Sequence, residues 1–193
     1  MSDLALTWKT VFLATLQKHE NAHALRLAAE SGRRDAWTKA ITGVTVSACG
    51  AMGWEASARN HRLETLPIPR SEYLALDVMA FAPGTPRWRF PVGIMELENR
   101  GDEDYIAYTL WKLLCVGAEL RALFCYRKIA DDGPALIGRL REDVIDALSL
   151  TQRQNLTGDT LVVVGSRADA AAFPYGYFKW WRLEKNTGRF DLY

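Results

Sequence analysis

The sequence predicts an α/β domain, a mixed sheet flanked by helices, and three observations carry that prediction. Segments with apolar residues three and four apart alternate with short apolar runs bounded by Gly and Pro. Two of those runs, Tyr73–Phe81 and Val92–Glu98, flank a loop rich in Gly and Pro, as a hairpin does. The second run then passes through a helical pattern into a third, Leu120–Tyr126, and a strand, helix, strand order implies a parallel pair with a right-handed crossover.

From the N-terminus, Leu4, Trp8, Val11, Phe12, Thr15 and Leu16 space a first amphipathic helix over 4–16. A short helix is expected over Ala24–Glu30, ended by Ser31-Gly32. Arg34–Met52 reads as a longer helix with Trp37, Ile41, Val44 and Ala48 on one stripe, stopped by Gly50 and Gly53. Weak alternation over Trp54–Leu66 suggests a first strand closed by Pro67 and Pro69.

The residues from Ala82 to Pro91 should form a long, rigid hairpin tip. Asp102 suits the cap of the next helix, whose stripe is Ile106, Leu110, Leu113, Leu114 and Gly117; Glu103 and Asp104 suit its positive end. Asp131, Asp132 and Pro134 open a helix to Leu148, Thr160–Val164 is a buried strand, and Phe178–Leu183 with Arg189–Tyr193 form a terminal hairpin.

The 193 residues, 49% of them hydrophobic, suit one folding unit with helices on both sides of a sheet. No apolar run approaches the roughly 18 residues of a membrane helix and no leader is visible, so a soluble cytoplasmic protein is expected. A net charge of +1 gives no global attraction to polyanions, and nucleic-acid affinity would need a local basic surface. Cys49, Cys115 and Cys125 lack metal-ligand spacing and read as reduced core thiols. His19, His23 and His61 form no ligand-like cluster.

The chemistry concentrates in three acids. About the hairpin tip, Phe81 opposes Val92, Met79 opposes Ile94 and Asp77 opposes Glu96, because each pair sums to one index. Opposed residues share a face with β-carbons about 5 Å apart, and Glu98, two residues on, points the same way. Unpartnered buried carboxylates cost several kcal/mol, roughly a domain's whole stability, so a shared divalent cation is the economical solution. The all-oxygen set favours Mg²⁺ or Mn²⁺ over zinc. Lys112, in the following helix, is placed to lean over the strand end, where an ammonium can orient water or neutralise charge on a phosphate. Paired acids at an exposed strand end, or an Asp77 partnered by Arg70 or Arg100, are the structural alternatives. Glu30 and Asp35 are weaker candidates for a helix acid.

Arg87 and Arg89 flank Trp88 at the hairpin tip, a combination able to straddle a phosphate backbone and stack on a base. A solvated tip is the plain alternative. The aromatic end around Tyr175, Tyr177, Phe178, Trp180 and Trp181 reads as core or as an oligomer contact, which would admit a homodimer.

On Asp77, the strand Val92-Gly93-Ile94-Met95-Glu96-Leu97-Glu98-Asn99 and the order helix, strand, strand, strand, helix, strand over 34–126, the chain resembles the restriction-endonuclease-like superfamily, the PD-(D/E)xK nucleases. The resemblance implies a single domain over 1–193 with an αβββαβ core at about 34–126, N-terminal helices at 1–33 and an appended helix and strands at 127–193. It implies Asp77 and Glu96 as ligands of Mg²⁺ and phosphodiester hydrolysis as the activity, with DNA ahead of RNA as substrate. The motif departs from the family pattern twice: Leu76 precedes Asp77 where many members have proline, and Glu98 stands where the lysine is expected. Variants with Glu-x-Glu, or with the lysine displaced to the next helix, match the arrangement of Glu98 and Lys112. A non-cleaving module of the same fold, binding nucleic acid or a protein partner, is the alternative, followed by a purely structural subunit.

Overall fold

A computed structural model describes residues 3–64, 66–85 and 87–193. Met1 and Ser2 at the start of the expected domain, Thr65 in the expected first strand and Pro86 at the expected hairpin tip lie outside the described residues. The described residues build a mixed seven-stranded sheet in sequence order, β1 (Glu55–Ala58), β2 (Val78–Phe81), β3 (Gly93–Leu97), β4 (Leu120–Arg127), β5 (Asp159–Ser166), β6 (Phe178–Glu184) and β7 (Arg189–Leu192). Strands β3, β4 and β5 run parallel, while the other neighbours pair antiparallel.

Helices cover both faces because the strands bury both. Alternate residues of β4 go to opposite cores: Ala122, Phe124 and Tyr126 to one, Leu123 and Cys125 to the other. The first core lies under α1 (Leu4–Leu16), α2 (His19–Ser31) and α3 (Arg34–Ala51), with Trp8 and Phe12 fully buried. The second lies under α4 (Glu103–Leu114), α5 (Asp132–Leu140) and the π-helical turn Arg141–Ile145. Each buried Leu, Phe or Ile contributes about 1.5–3 kcal/mol of burial free energy, which is what drives the two-sided assembly. No helix among the described residues is long and apolar enough to cross a membrane.

Several expected boundaries shift for local reasons. Strand β1 stops at Ala58 because Asn60 turns the chain at φ 66° and His61 bridges back to Ala58. Strand β2 starts only at Val78; Tyr73–Ala75 is a 3₁₀ turn with Leu74 and Ala75 in the left-handed region, which no apolar pattern announces. Helix α2 begins five residues earlier than expected, at His19. The helix opened by Asp132 gives way at Arg141 to the π turn, and a further helix, α6 (Leu150–Asn155), begins at Ser149. That last element had a sequence signal: Ser149 and Gln152 are spaced as a capping box, and both of its reciprocal hydrogen bonds form.

Of the thiols, Cys49 and Cys125 are buried as expected, whereas Cys115 is exposed because it caps the solvent-facing end of α4. Tyr177, Phe178, Trp180 and Trp181 are core residues, and Tyr175 is exposed.

Candidate functional site

The hairpin register places the acids. Val78 pairs with Met95, Met79 with Ile94 and Ala80 with Gly93, so one step further Asp77 faces Glu96 at the open end of the β2–β3 ladder. Asp77 precedes the regular strand, and its Oδ2 accepts the Leu97 N–H at 2.7 Å, the side chain standing in for a ladder carbonyl. Glu96 is 6% exposed and lies on the sheet face covered by α4.

Helix α4 delivers Lys112 to this point. Its N-cap Asp102 accepts the Tyr105 N–H, and Ile106, Leu110 and Leu113 seat it on the second core. Lys112 Nζ then lies 2.6 Å from Glu96 Oε1 and donates to Ala75 O at 2.8 Å. The contact with Oε1 is one of charge rather than of a directed hydrogen bond, and Glu96 Oε1 is buried without a hydrogen-bond donor aligned on it. The left-handed pair Leu74–Ala75 has a use here, since it aims the Ala75 carbonyl at the ammonium. Sequence reasoning placed Lys112 in the right element but did not pair it with Glu96.

Burial and the neighbouring Asp77 charge push the Glu96 carboxyl up to about 7, against the pull of Lys112. The second acid of the motif, Glu98, is half-buried and its Oε1 accepts the Arg100 N–H at 2.6 Å. Among the described residues no three His, Cys, Asp or Glu side chains gather as a metal cage. Two opposed carboxylates are nevertheless a sufficient protein contribution for Mg²⁺, which usually keeps several waters and binds through one or two carboxylates plus substrate phosphate. Asp77 and Glu96 fit that donor set, with Glu96 Oε1 held against the Lys112 ammonium.

Beneath the helix, Arg121 is 1% exposed and its guanidinium donates to the carbonyls of Leu113, Val116 and Thr157. It ties the C-terminal turn of α4 to β4, and thereby holds the element bearing Lys112. No sequence pattern separates this arginine from a surface one.

The hairpin tip is rearranged relative to expectation. Arg89 folds back onto Glu55 Oε2 at 2.5 Å and over the Phe81 ring, so it does not pair with Arg87 around Trp88. Arg87 is exposed, Trp88 is 63% exposed and Phe90 is more so. A second aromatic surface, which sequence reasoning passed over, runs along α4: Tyr105, Tyr108 and Trp111 are half-exposed, with Tyr108 stacked on Trp111 at 5.9 Å and Arg100 4.3 Å from the Tyr105 ring. The spacing of three residues was its sequence signal. His19 and His23 stack on one another and His61 sits in the β1 turn, all apart from the acids. Asp35 pairs with Arg33 at 3.0 Å.

Comparison with family models, with curated proteins and with solved structures finds no match to this chain.

Proposed function

We propose that the protein is a metal-dependent nuclease of the restriction-endonuclease-like type, acting on DNA in preference to RNA. The observation that carries this reading is the pairing of buried Glu96 with partly exposed Lys112, with Asp77 opposed across the hairpin. The run α3, β1, β2, β3, α4, β4 supports it, because it has the αβββαβ order of that fold. In this reading Asp77 and Glu96 hold Mg²⁺ or Mn²⁺. A bound ion of this kind supplies a water of lowered pKa and a positive charge beside the scissile phosphate.

The chain's own residues do the rest. Lys112 opposes the upward push on the Glu96 pKa before the ion arrives and afterwards faces the charge that builds on the phosphate. Glu98, on the same strand face two residues on, serves as proton acceptor. Tyr105, Tyr108 and Trp111 give an unpaired strand rings on which to stack, and exposed Trp88 extends that surface from the hairpin.

The test is cleavage of single- and double-stranded DNA and RNA with Mg²⁺ or Mn²⁺. The wild type is expected to cleave, and Asp77→Ala, Glu96→Ala and Lys112→Ala to lose about 100-fold or more while keeping the wild-type circular dichroism. Absence of cleavage by the wild type on every substrate with either ion overturns the enzyme.

One observation favours a second reading, a non-catalytic module binding nucleic acid or a protein partner: Lys112 already neutralises Glu96, and Asp77 is engaged by the Leu97 amide. Binding of single-stranded DNA without cleavage, lost in Tyr108→Ala, is its signature.

A further inference from the structure

On the sheet face opposite Glu96, a second concave site opens at the carboxyl ends of the parallel strands β3, β4 and β5. Open α/β sheets characteristically place ligand crevices at such strand ends. The cleft encloses about 60 Å³ and is walled by Trp37, Tyr126 and Tyr177, with Arg33, Arg34 and Arg167 around its mouth.

Three separate features select the chemistry of its occupant. The first is charge. Arg33 is balanced by Asp35, and Arg167 donates to Asn99 O at 3.0 Å while lying over the Tyr126 ring. Arg34 forms no ion pair among the described residues. Asp35, already engaged, and Asp169, which acts on Tyr177, are acids near the cleft, and exposed Glu30 follows the lining residue Ala29. The guanidiniums of Arg34 and Arg167 are taken up by no ion pair among the described residues.

The second feature is the start of α3. The residue at its N-cap is Arg33, whose side chain caps nothing, so the positive end of an 18-residue helix adjoins the cleft, relieved in part by Asp35. The third is the pair of buried donors. Tyr126 and Trp37 are 3% and 7% exposed; Trp37 Nε1 lies against the Tyr126 hydroxyl, and neither makes a well-aligned hydrogen bond to any other group among the described residues. Their rings meet edge-on at 5.4 Å. Buried polar groups are satisfied in the great majority of folded proteins, so a buried Tyr126 hydroxyl with no acceptor for its own proton, on a residue that lines the cleft, points to a bound acceptor.

We propose that this cleft binds the phosphate group of a phosphomonoester. A phosphate dianion offers three oxygens able to accept from the Tyr126 hydroxyl and the forked guanidiniums of Arg34 and Arg167 together, and its charge is opposite to theirs. A free mononucleotide and the terminal phosphate of a nucleic-acid strand present this same group. The site shares no side chain with the Asp77–Glu96–Lys112 cluster, and its existence does not depend on cleavage.

Calorimetric titration at constant ionic strength and pH 7.5, with EDTA present, tests it. The probes are inorganic phosphate, a nucleoside 5′-monophosphate and one oligonucleotide with and without a terminal phosphate. Saturable one-site binding of phosphate is expected, weakened about tenfold or more by Arg34→Ala and by Arg167→Ala and unchanged by Arg189→Ala on β7. Tyr126→Phe should weaken binding with little change in melting temperature, because the lost hydroxyl donates to no acceptor in the free protein. Preference for the mononucleotide identifies a small ligand, and discrimination between the two oligonucleotides identifies a strand end. Lack of saturable binding by every phosphorylated probe, or equal affinity in Arg34→Ala, Arg167→Ala and wild type, overturns the proposal.

Discussion

Glu96 is a carboxylate held where water is scarce, and its energetics follow from that. Its pKa is raised to about 7 from the ordinary 4.5, so in the metal-free protein its stabilising contribution is complete below about pH 4.5 and is lost as pH rises through 7. The span corresponds to on the order of 3 kcal/mol. The unfolding free energy of Glu96→Gln relative to wild type, measured in EDTA, should therefore move in favour of Gln between pH 4.5 and pH 8. A pH-independent difference would show that burial does not govern this group. Lys112→Met should raise the Glu96 pKa further, since the compensating charge is gone, and carboxyl titration by NMR reads that shift. The opposition of Asp77 and Glu96 was legible in the sequence because a hairpin's pairing indices sum to a constant. The 2.6 Å approach of Lys112 was not, since it depends on how α4 crosses β3 and on a left-handed Ala75.

Elements obeyed their signals where those signals are local. Helices α1, α3 and α4 and strands β3, β4, β6 and β7 fall close to the positions that apolar spacing predicts. Beyond Leu140 the reading failed: a single helix to Leu148 was expected, but the chain loosens into a π turn, and Ser149 restarts it as α6. Ser149→Ala should cost about 1 kcal/mol, as cap removal typically does, detectable by urea denaturation, with no effect on the acidic site. Likewise β2 was drawn five residues too long, because the left-handed turn at Leu74 and Ala75 leaves no mark in hydropathy.

The whole molecule is a sheet with two cores, and buried Glu96 lies on the side of the one beneath α4 and α5. Arg121 is the polar fastening of that half. Replacing it with Met leaves the carbonyls of Leu113, Val116 and Thr157 without donors, so a loss of about 3 kcal/mol or more is expected in urea unfolding. Lys112 would lose its positioning with it. A two-sided sheet was foreseeable from near-continuous apolar strands such as Val162–Val164, whereas a fully buried arginine at the start of β4 was not. What the fold sets up for function reduces to whether Asp77 and Glu96 share an ion. Calorimetric titration with Mn²⁺ decides this most directly. One-site binding by the wild type that disappears in both Asp77→Ala and Glu96→Ala is predicted; absence of binding by the wild type, or binding unchanged in either variant, would contradict the account.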